Sequence, residues 1–272
     1  MKKLLILCLA FLVSMSGVMA QNETENVNKS RFKQLDELLP TPNVYRTGSG
    51  APGHQYWQQQ ADYEIDVEVN DDNQRLTGSE KVTYTNNSPD DLKYLWVQLD
   101  QNMRAKDSDT YKVSTNKMSD KMTVGRSYGG SLAGVLPYDY DGGHKIQSVK
   151  DKSGKALKYT INKTMMRVEM PQVLKKGEAF TMQIDWYYNI NDRNVMGGRG
   201  GFELFKEDGN YLYTITQWFP RMAVYDDING WQTKQFLGRG EFALPFGDYK
   251  VKITVPADHI VAATGVLQNS KK

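Results

Sequence analysis

From Tyr63 the chain alternates. Tyr63, Ile65, Val67 and Val69 are apolar, the residues between them are polar, and Asn70-Asp71-Asp72-Asn73 breaks the run. Period two over this length predicts a half-buried β-strand that ends in a turn. Residues 75–84 resume with Leu76, Val82 and Tyr84, and the cluster Asn86-Asn87-Ser88-Pro89-Asp90 closes them. From Leu92 to Leu99 both faces are apolar, with Tyr94 and Trp96 on one and Leu95, Val97 and Leu99 on the other, which predicts a central strand covered on each side. Strands return at 146–149, 157–161 and 165–170, followed by the clean alternation of Phe180, Met182, Ile184, Trp186 and Tyr188. The turns Lys152-Ser153-Gly154-Lys155 and Lys175-Lys176-Gly177-Glu178 between them predict an antiparallel meander. In the last third, strands are predicted at 211–218, 241–244 and 249–255, interrupted by Phe219-Pro220-Arg221 and a turn-rich stretch from Asp226 to Gly230.

Two stretches lack this order. Residues 21–53 are polar and hold one short helical pattern, Phe32, Leu35, Leu38 and Leu39, so they read as a lead segment with one short helix. Residues 100–140 carry scattered glycines and read as a long loop or insertion. Helical periodicity is nearly absent after residue 40, and no repeat appears. The predicted class is mainly β, an antiparallel β-sandwich or saddle-like curved sheet.

The first twenty residues change the setting. Lys2 and Lys3 precede the apolar run Leu4 to Val13 and the small-residue end Val18-Met19-Ala20, the pattern of a secretory signal peptide. The run is shorter than the ~20 apolar residues of a spanning helix, and no later segment resembles a membrane span. Cleavage after Ala20 makes the protein periplasmic, cell-surface or secreted and removes Cys8, its one cysteine, so the mature fold depends on packing without disulfides. The net charge of +2 falls to zero without Lys2 and Lys3, because residues 1–20 contain no acid. Such a balance gives no long-range attraction to nucleic acid or anionic membrane.

Candidate chemistry is sparse. The histidines are His54, His144 and His259, isolated in sequence and read as surface or strand-end residues. No H-E-x-x-H places two imidazoles on one helical face, so no metal ligand is expected in this chain. A cysteine–histidine pair is excluded in the mature chain, no G-x-S-x-G elbow occurs, and no catalytic residue is expected. Gly197-Gly198-Arg199-Gly200-Gly201 reads as a flexible connector rather than an anion site, and the adjacent Asp226 and Asp227 as solvated turn residues. Trp96 and Trp186 sit in apolar alternation and read as core. Trp218 and Trp231 flank the turn-rich segment, where core or rim packing competes with lining a groove. Arg221 and Arg239 read as partners of nearby carboxylates, and this is the most site-like part of the chain.

The same part carries a resemblance. Tyr213-Thr214-Ile215-Thr216-Gln217-Trp218-Phe219-Pro220-Arg221-Met222-Ala223-Val224-Tyr225-Asp226-Asp227, then Phe246-Gly247-Asp248-Tyr249 through Pro256 and Ala263-Thr264-Gly265, resembles the amino-terminal domain of zinc aminopeptidases of the aminopeptidase N (membrane alanyl aminopeptidase) family, of gluzincin type. Tyr63 to Val69, Leu76-Thr77-Gly78-Ser79-Glu80 and Leu174-Lys175-Lys176-Gly177-Glu178 match its earlier strands and turns in the same order. The resemblance spans roughly Gln55 to Gln268. It implies a β-domain over 55–272 that walls a peptide cleft and docks on a catalytic domain of the same parent protein. Zinc, H-E-x-x-H and G-x-M-E-N would all lie in that domain, past Lys272, so the resemblance implies a truncated member, inactive alone. In that family the amino-terminal domain lends a Gln or Glu to the substrate's amino group from a Q-x-Q or Q-x-E motif. Gln217 matches the first position. The second, normally the contacting one, is Phe219, whose ring accepts no conventional hydrogen bond from an ammonium. The rival reading is a stand-alone β-sandwich binding module for glycans or peptides.

Overall fold

A computed structural model describes residues 42–113, 140–238, 240 and 242–269. The signal peptide, Cys8, the helix expected at 32–39, most of the 100–140 insertion and Arg239 lie outside the described residues. The strands are β1 (Gln60–Asn70), β2 (Arg75–Thr85), β3 (Leu92–Gln98), β4 (Lys145–Asp151), β5 (Tyr159–Asn162), β6 (Met165–Leu174) and β7 (Ala179–Asn189). They continue with β8 (Gly201–Phe205), β9 (Asn210–Thr214), β10 (Arg221–Met222), β11 (Tyr225–Asp226), β12 (Gly230–Trp231) and β13 (Tyr249–Thr254). The chain is mainly β, as the alternation predicts. No helix among the described residues is long and apolar enough to cross a membrane.

Contacts divide the chain into two compact units. The smaller takes in residues 42–56 and the turn Asp226–Gly230, and the larger holds Trp57–Tyr225 and Trp231 onward. In the smaller unit Arg46 Nε donates to both carboxylate oxygens of Asp227, at 2.7 and 2.8 Å. Asp227 is therefore buried rather than solvated, a correction to the turn reading. Asp226 behaves as a turn residue, its Oδ1 accepting from the amides of Ile228 and Asn229.

The larger unit is built on two sheets with strand orders β13-β1-β2-β7-β4 and β10-β3-β6-β5. Their inward residues, among them Ile65, Val82, Ile184 and Trp186 from the first sheet and Leu95, Val97 and Val168 from the second, share one apolar cluster. Register explains two glycines. Gly78 lies opposite Trp186, and a Cβ there would sit 2.5 Å from the indole, so only glycine lets the ring lie flat across β2. A Cβ on Gly247 would sit 1.7 Å from the carbonyl oxygen of Ala61, so this glycine lets the chain close on β1 just before β13 begins.

Three expectations change. β4 pairs with β7 and β5 with β6, so the predicted meander is split between two sheets; alternation fixes which way a side chain points and says nothing of the neighbouring strand. β13 runs parallel to β1, and residues 242–244 form no strand. β3 is interior to its sheet, with Leu95 and Val97 buried, while Tyr94 and Trp96 are only half-buried and the Arg167 guanidinium lies 3.9 Å from the centre of the Tyr94 ring.

Candidate functional site

The segment singled out in the sequence joins β9 to β10. At Gln217 the backbone turns through φ +50°, a left-handed conformation uncommon for a residue with a side chain. Side-chain donors hold this turn. Gln101 Nε2 donates to the carbonyls of Thr216 and Gln217 at 2.8 and 3.1 Å, and Arg104 Nη1 fixes the same amide by donating to Gln101 Oε1 at 2.9 Å. The next carbonyl, that of Trp218, accepts from His144 Nε2 at 3.1 Å. Three successive carbonyls that pair with no strand are thus all satisfied, which lets a strained turn persist in a half-buried place.

Gln217 lines a pocket of about 260 Å³ together with Met103, Arg104, Arg199, Thr216 and Phe236. A primary amide beside two guanidinium groups gives a neutral acceptor and donor in a polar mouth, with Met103 and Phe236 as apolar wall. The glycine-rich connector belongs to the same structure. It follows the single helical turn Arg193–Met196, and a Cβ on Gly200 would sit 2.9 Å from Thr216 Oγ1, so the glycine permits close approach to the β9 end.

Phe219 does not line this pocket. Its ring meets Trp218 at 4.9 Å, Tyr63 at 5.5 Å and Tyr249 at 6.2 Å, all edge-on, in an aromatic row that continues through Trp218 to Trp186. The hydrophobic pocket wall that a phenyl at this position suggests is therefore absent. Trp231 packs against Tyr84 and Tyr225, which favours the packing account over a groove.

His144 lies immediately before β4, the strand-end alternative of its reading, and is buried rather than at the surface, edge-on to both Trp186 and Tyr188. Burial lowers its pKa to about 4, against a smaller opposing effect of the Trp218 carbonyl, so the ring is neutral at pH 7 and carries its proton on Nε2. His259 packs on Tyr213 with Nδ1 2.9 Å from Asp258, and His54 is exposed. No group of three or more His, Cys, Asp or Glu side chains placed to hold a metal ion occurs among the described residues, and no chemistry here is routed through one.

Arg221 pairs with a carboxylate, as expected, but a distant one. Its Nε lies 2.6 Å from Asp100 Oδ2, and both side chains are buried. Tyr63 Oη accepts from the amide of Met222 at 2.8 Å, anchoring the far end of the segment to β1. Sequence reading missed Gln101, Arg104 and Asp100, which lie in or beside a short 3-10 turn, Asp100–Arg104, inside the stretch read as a loop. No local signal marks Gln101 and Asp100, because their partners are more than 110 residues away, and Arg104 acts through Gln101.

No protein family matches the sequence, and no curated protein is similar to it. Among solved structures, the chain is similar to the M1 zinc metallopeptidase from Deinococcus radiodurans, at 12% identity over 79% of this chain and 36% of that one, with a TM-score of 0.38. A two-domain M1 zinc metallopeptidase mutant bound to L-tryptophan gives 11% identity over 79% and 37%, TM-score 0.39. A mutant from D. radiodurans bound to a Tyr-Ser-Ala substrate gives 12% over 79% and 37%, TM-score 0.37. The chain spans little more than a third of the length of these structures. Superposition at this level carries no weight for fold or function.

Proposed function

We propose that this chain is the cleft-walling amino-terminal β-domain of an exported zinc aminopeptidase, and that Gln217 is the group it offers to the free amino end of a peptide. The observation that carries this is the turn at Gln217. Gln217, which matches the first position of the family's amine-anchoring motif, is held in a left-handed conformation by Gln101 and lines a pocket. A glutamine amide oxygen accepts a hydrogen bond from an ammonium, and here it does so against the repulsion of the Arg104 and Arg199 guanidinium groups that line the same pocket. With Phe219 committed to aromatic packing, Gln217 is the anchoring residue that remains of the motif. The domain's work is to wall the cleft and dock on a catalytic domain. Zinc and hydrolysis belong to that domain, and no step of them falls to residues of this chain.

The test is the coding sequence downstream of Lys272. An in-frame H-E-x-x-H within the next domain length supports the reading. A stop codon with no such frame, or chelator-sensitive aminopeptidase activity from this chain alone, overturns it; the stop codon together with saturable binding of oligosaccharides or peptides leaves the binding module. In an enzyme carrying both domains, Gln217→Ala raises KM for aminoacyl anilides roughly tenfold, the loss of one hydrogen bond to a charged group, and lowers kcat less.

A further inference from the structure

β13 is the outermost strand of its sheet, and among the described residues no backbone hydrogen bond reaches its outer edge. The amides of Ala61 and Tyr63 donate to the carbonyls of Phe246 and Asp248, which sets the phase of the parallel pairing with β1. In that phase the even-numbered residues turn their backbone groups to β1, and Tyr249, Val251 and Ile253 direct theirs outward. An edge of this length with free donors and acceptors is a template for another strand.

Its two faces state what that strand must carry. On the outer face Lys250 stands beside Glu64 and Lys252 beside Asp66, the latter pair at 3.3 Å, and Glu64 is met from β2 by Lys81 at 3.2 Å. Charge therefore runs in columns across the sheet, positive on β2, negative on β1 and positive on β13, and the next column in sequence is negative. On the inner face Tyr249, Val251 and Ile253 lie in register with the buried Tyr63, Ile65 and Val67, yet are 46%, 40% and 36% exposed. Their uncovered apolar surface calls for apolar side chains alongside. We propose that the open edge of β13 is a strand-addition site for an extended segment of a partner protein that alternates acidic with β-branched apolar residues. A second copy of this chain is disfavoured in the register centred on Val251. A two-fold antiparallel pairing centred on Val251 sets Lys250 against Lys252 of the other copy, and like charges directly opposite are unfavourable.

The full chain is titrated at pH 7 and low salt with two labelled octapeptides, acetylated and amidated, one alternating Val with Glu and one alternating Val with Lys, followed by fluorescence anisotropy and amide hydrogen exchange. The Val–Glu peptide is expected to saturate, to bind at least tenfold more tightly than the Val–Lys peptide, and to slow exchange at Val251 and Ile253. Val251→Pro removes an outward N–H without touching the pairing to β1 and is expected to weaken binding at least tenfold. Lys250→Glu with Lys252→Glu, changes at exposed positions, is expected to reverse the order of the two peptides and keeps the test decisive if the proline variant fails to fold. Equal affinity for the two peptides, or no saturable binding of either, overturns the proposal. So does concentration-dependent dimerisation that protects Val251 and Ile253, which points to a second copy.

Discussion

Glu80 and Asp100 are both carboxyl groups sealed in the protein interior, each about 1% exposed, and their surroundings differ in one respect. Glu80 projects from the inward face of β2 between Ile65 and Ile184, and neither of its oxygens has a hydrogen-bond partner among the described residues. Burial alone acts on it, and its pKa is pushed well above the usual carboxylate range. Asp100 opens the 3-10 turn after β3 and faces the Arg221 guanidinium at 2.6 Å. Burial raises its pKa too, and the positive charge of Arg221 beside it opposes that rise without cancelling it. The same desolvation thus has two solutions. For one carboxyl burial acts unopposed and favours the neutral form; the other faces a cation delivered by β10.

The two solutions fail differently. Asp100→Ala strands the Arg221 charge in the interior, and the expected loss is about 3–5 kcal/mol in urea unfolding, the cost of breaking a buried pair from one side. Replacing both partners, Asp100→Ala with Arg221→Met, recovers most of that loss, because no charge is then left buried. Equal destabilisation by the single and double variants would show that the pair matters for shape rather than charge.

How much of this is legible in sequence follows from the range of each interaction. β1, β2 and β7 declare themselves, because Tyr63 to Val69 and Phe180 to Tyr188 alternate without a break and alternation is a local property. Partnership is not local. That β4 joins β7, or that β13 lies parallel to β1, depends on contacts no window contains. The motif marks Gln217 as a candidate, but the left-handed turn at this residue depends on Gln101, 116 residues away, in a stretch with no pattern at all. The two aspartates at 226 and 227 show the same limit. Composition reads both as turn residues, and nothing local shows that Asp227 is buried against Arg46. Glu80 is the reverse case: its place in the alternation of β2 puts it inside, and the chain gives no hint that nothing there will pair with it.

His144 extends the comparison to a base. Its folded pKa of about 4 lies below the unfolded value near 6.5. The folded state therefore holds the proton less tightly. Its contribution to stability is complete above pH 6.5 and is lost as pH falls toward 4, amounting to roughly 3 kcal/mol. His144→Gln, which keeps an N–H donor for the Trp218 carbonyl, flattens this loss in unfolding measured from pH 7 to pH 4. Glu80 has the opposite sign. Its folded pKa is raised, so its contribution is complete below the unfolded value near 4.3 and is lost as pH rises toward the folded one, with a slope of at most about 1.4 kcal/mol per pH unit. Glu80→Gln imitates the protonated acid and removes the slope. An unchanged slope would mean that Glu80 gains a partner or water when it ionises.

The smallest effect belongs to a charge that was never desolvated. Lys81 and Glu64 pair at 3.2 Å on the outer face of the first sheet, with side chains 53% and 62% exposed. Each is already solvated, so removing one leaves the other in water instead of stranding it, and the pair must also hold two long side chains in one geometry. Lys81→Ala is therefore expected to cost under about 1 kcal/mol, and a double-mutant cycle with Glu64→Ala to give a coupling of a few tenths that fades with added salt. The geometry of this pair is close to that of Asp100 and Arg221, and the expected cost differs severalfold. If the cycle instead returned a coupling as large as the buried pair's, unaffected by salt, burial would not be what separates Asp100 from the surface, and the contrast with Glu80 would lose its cause.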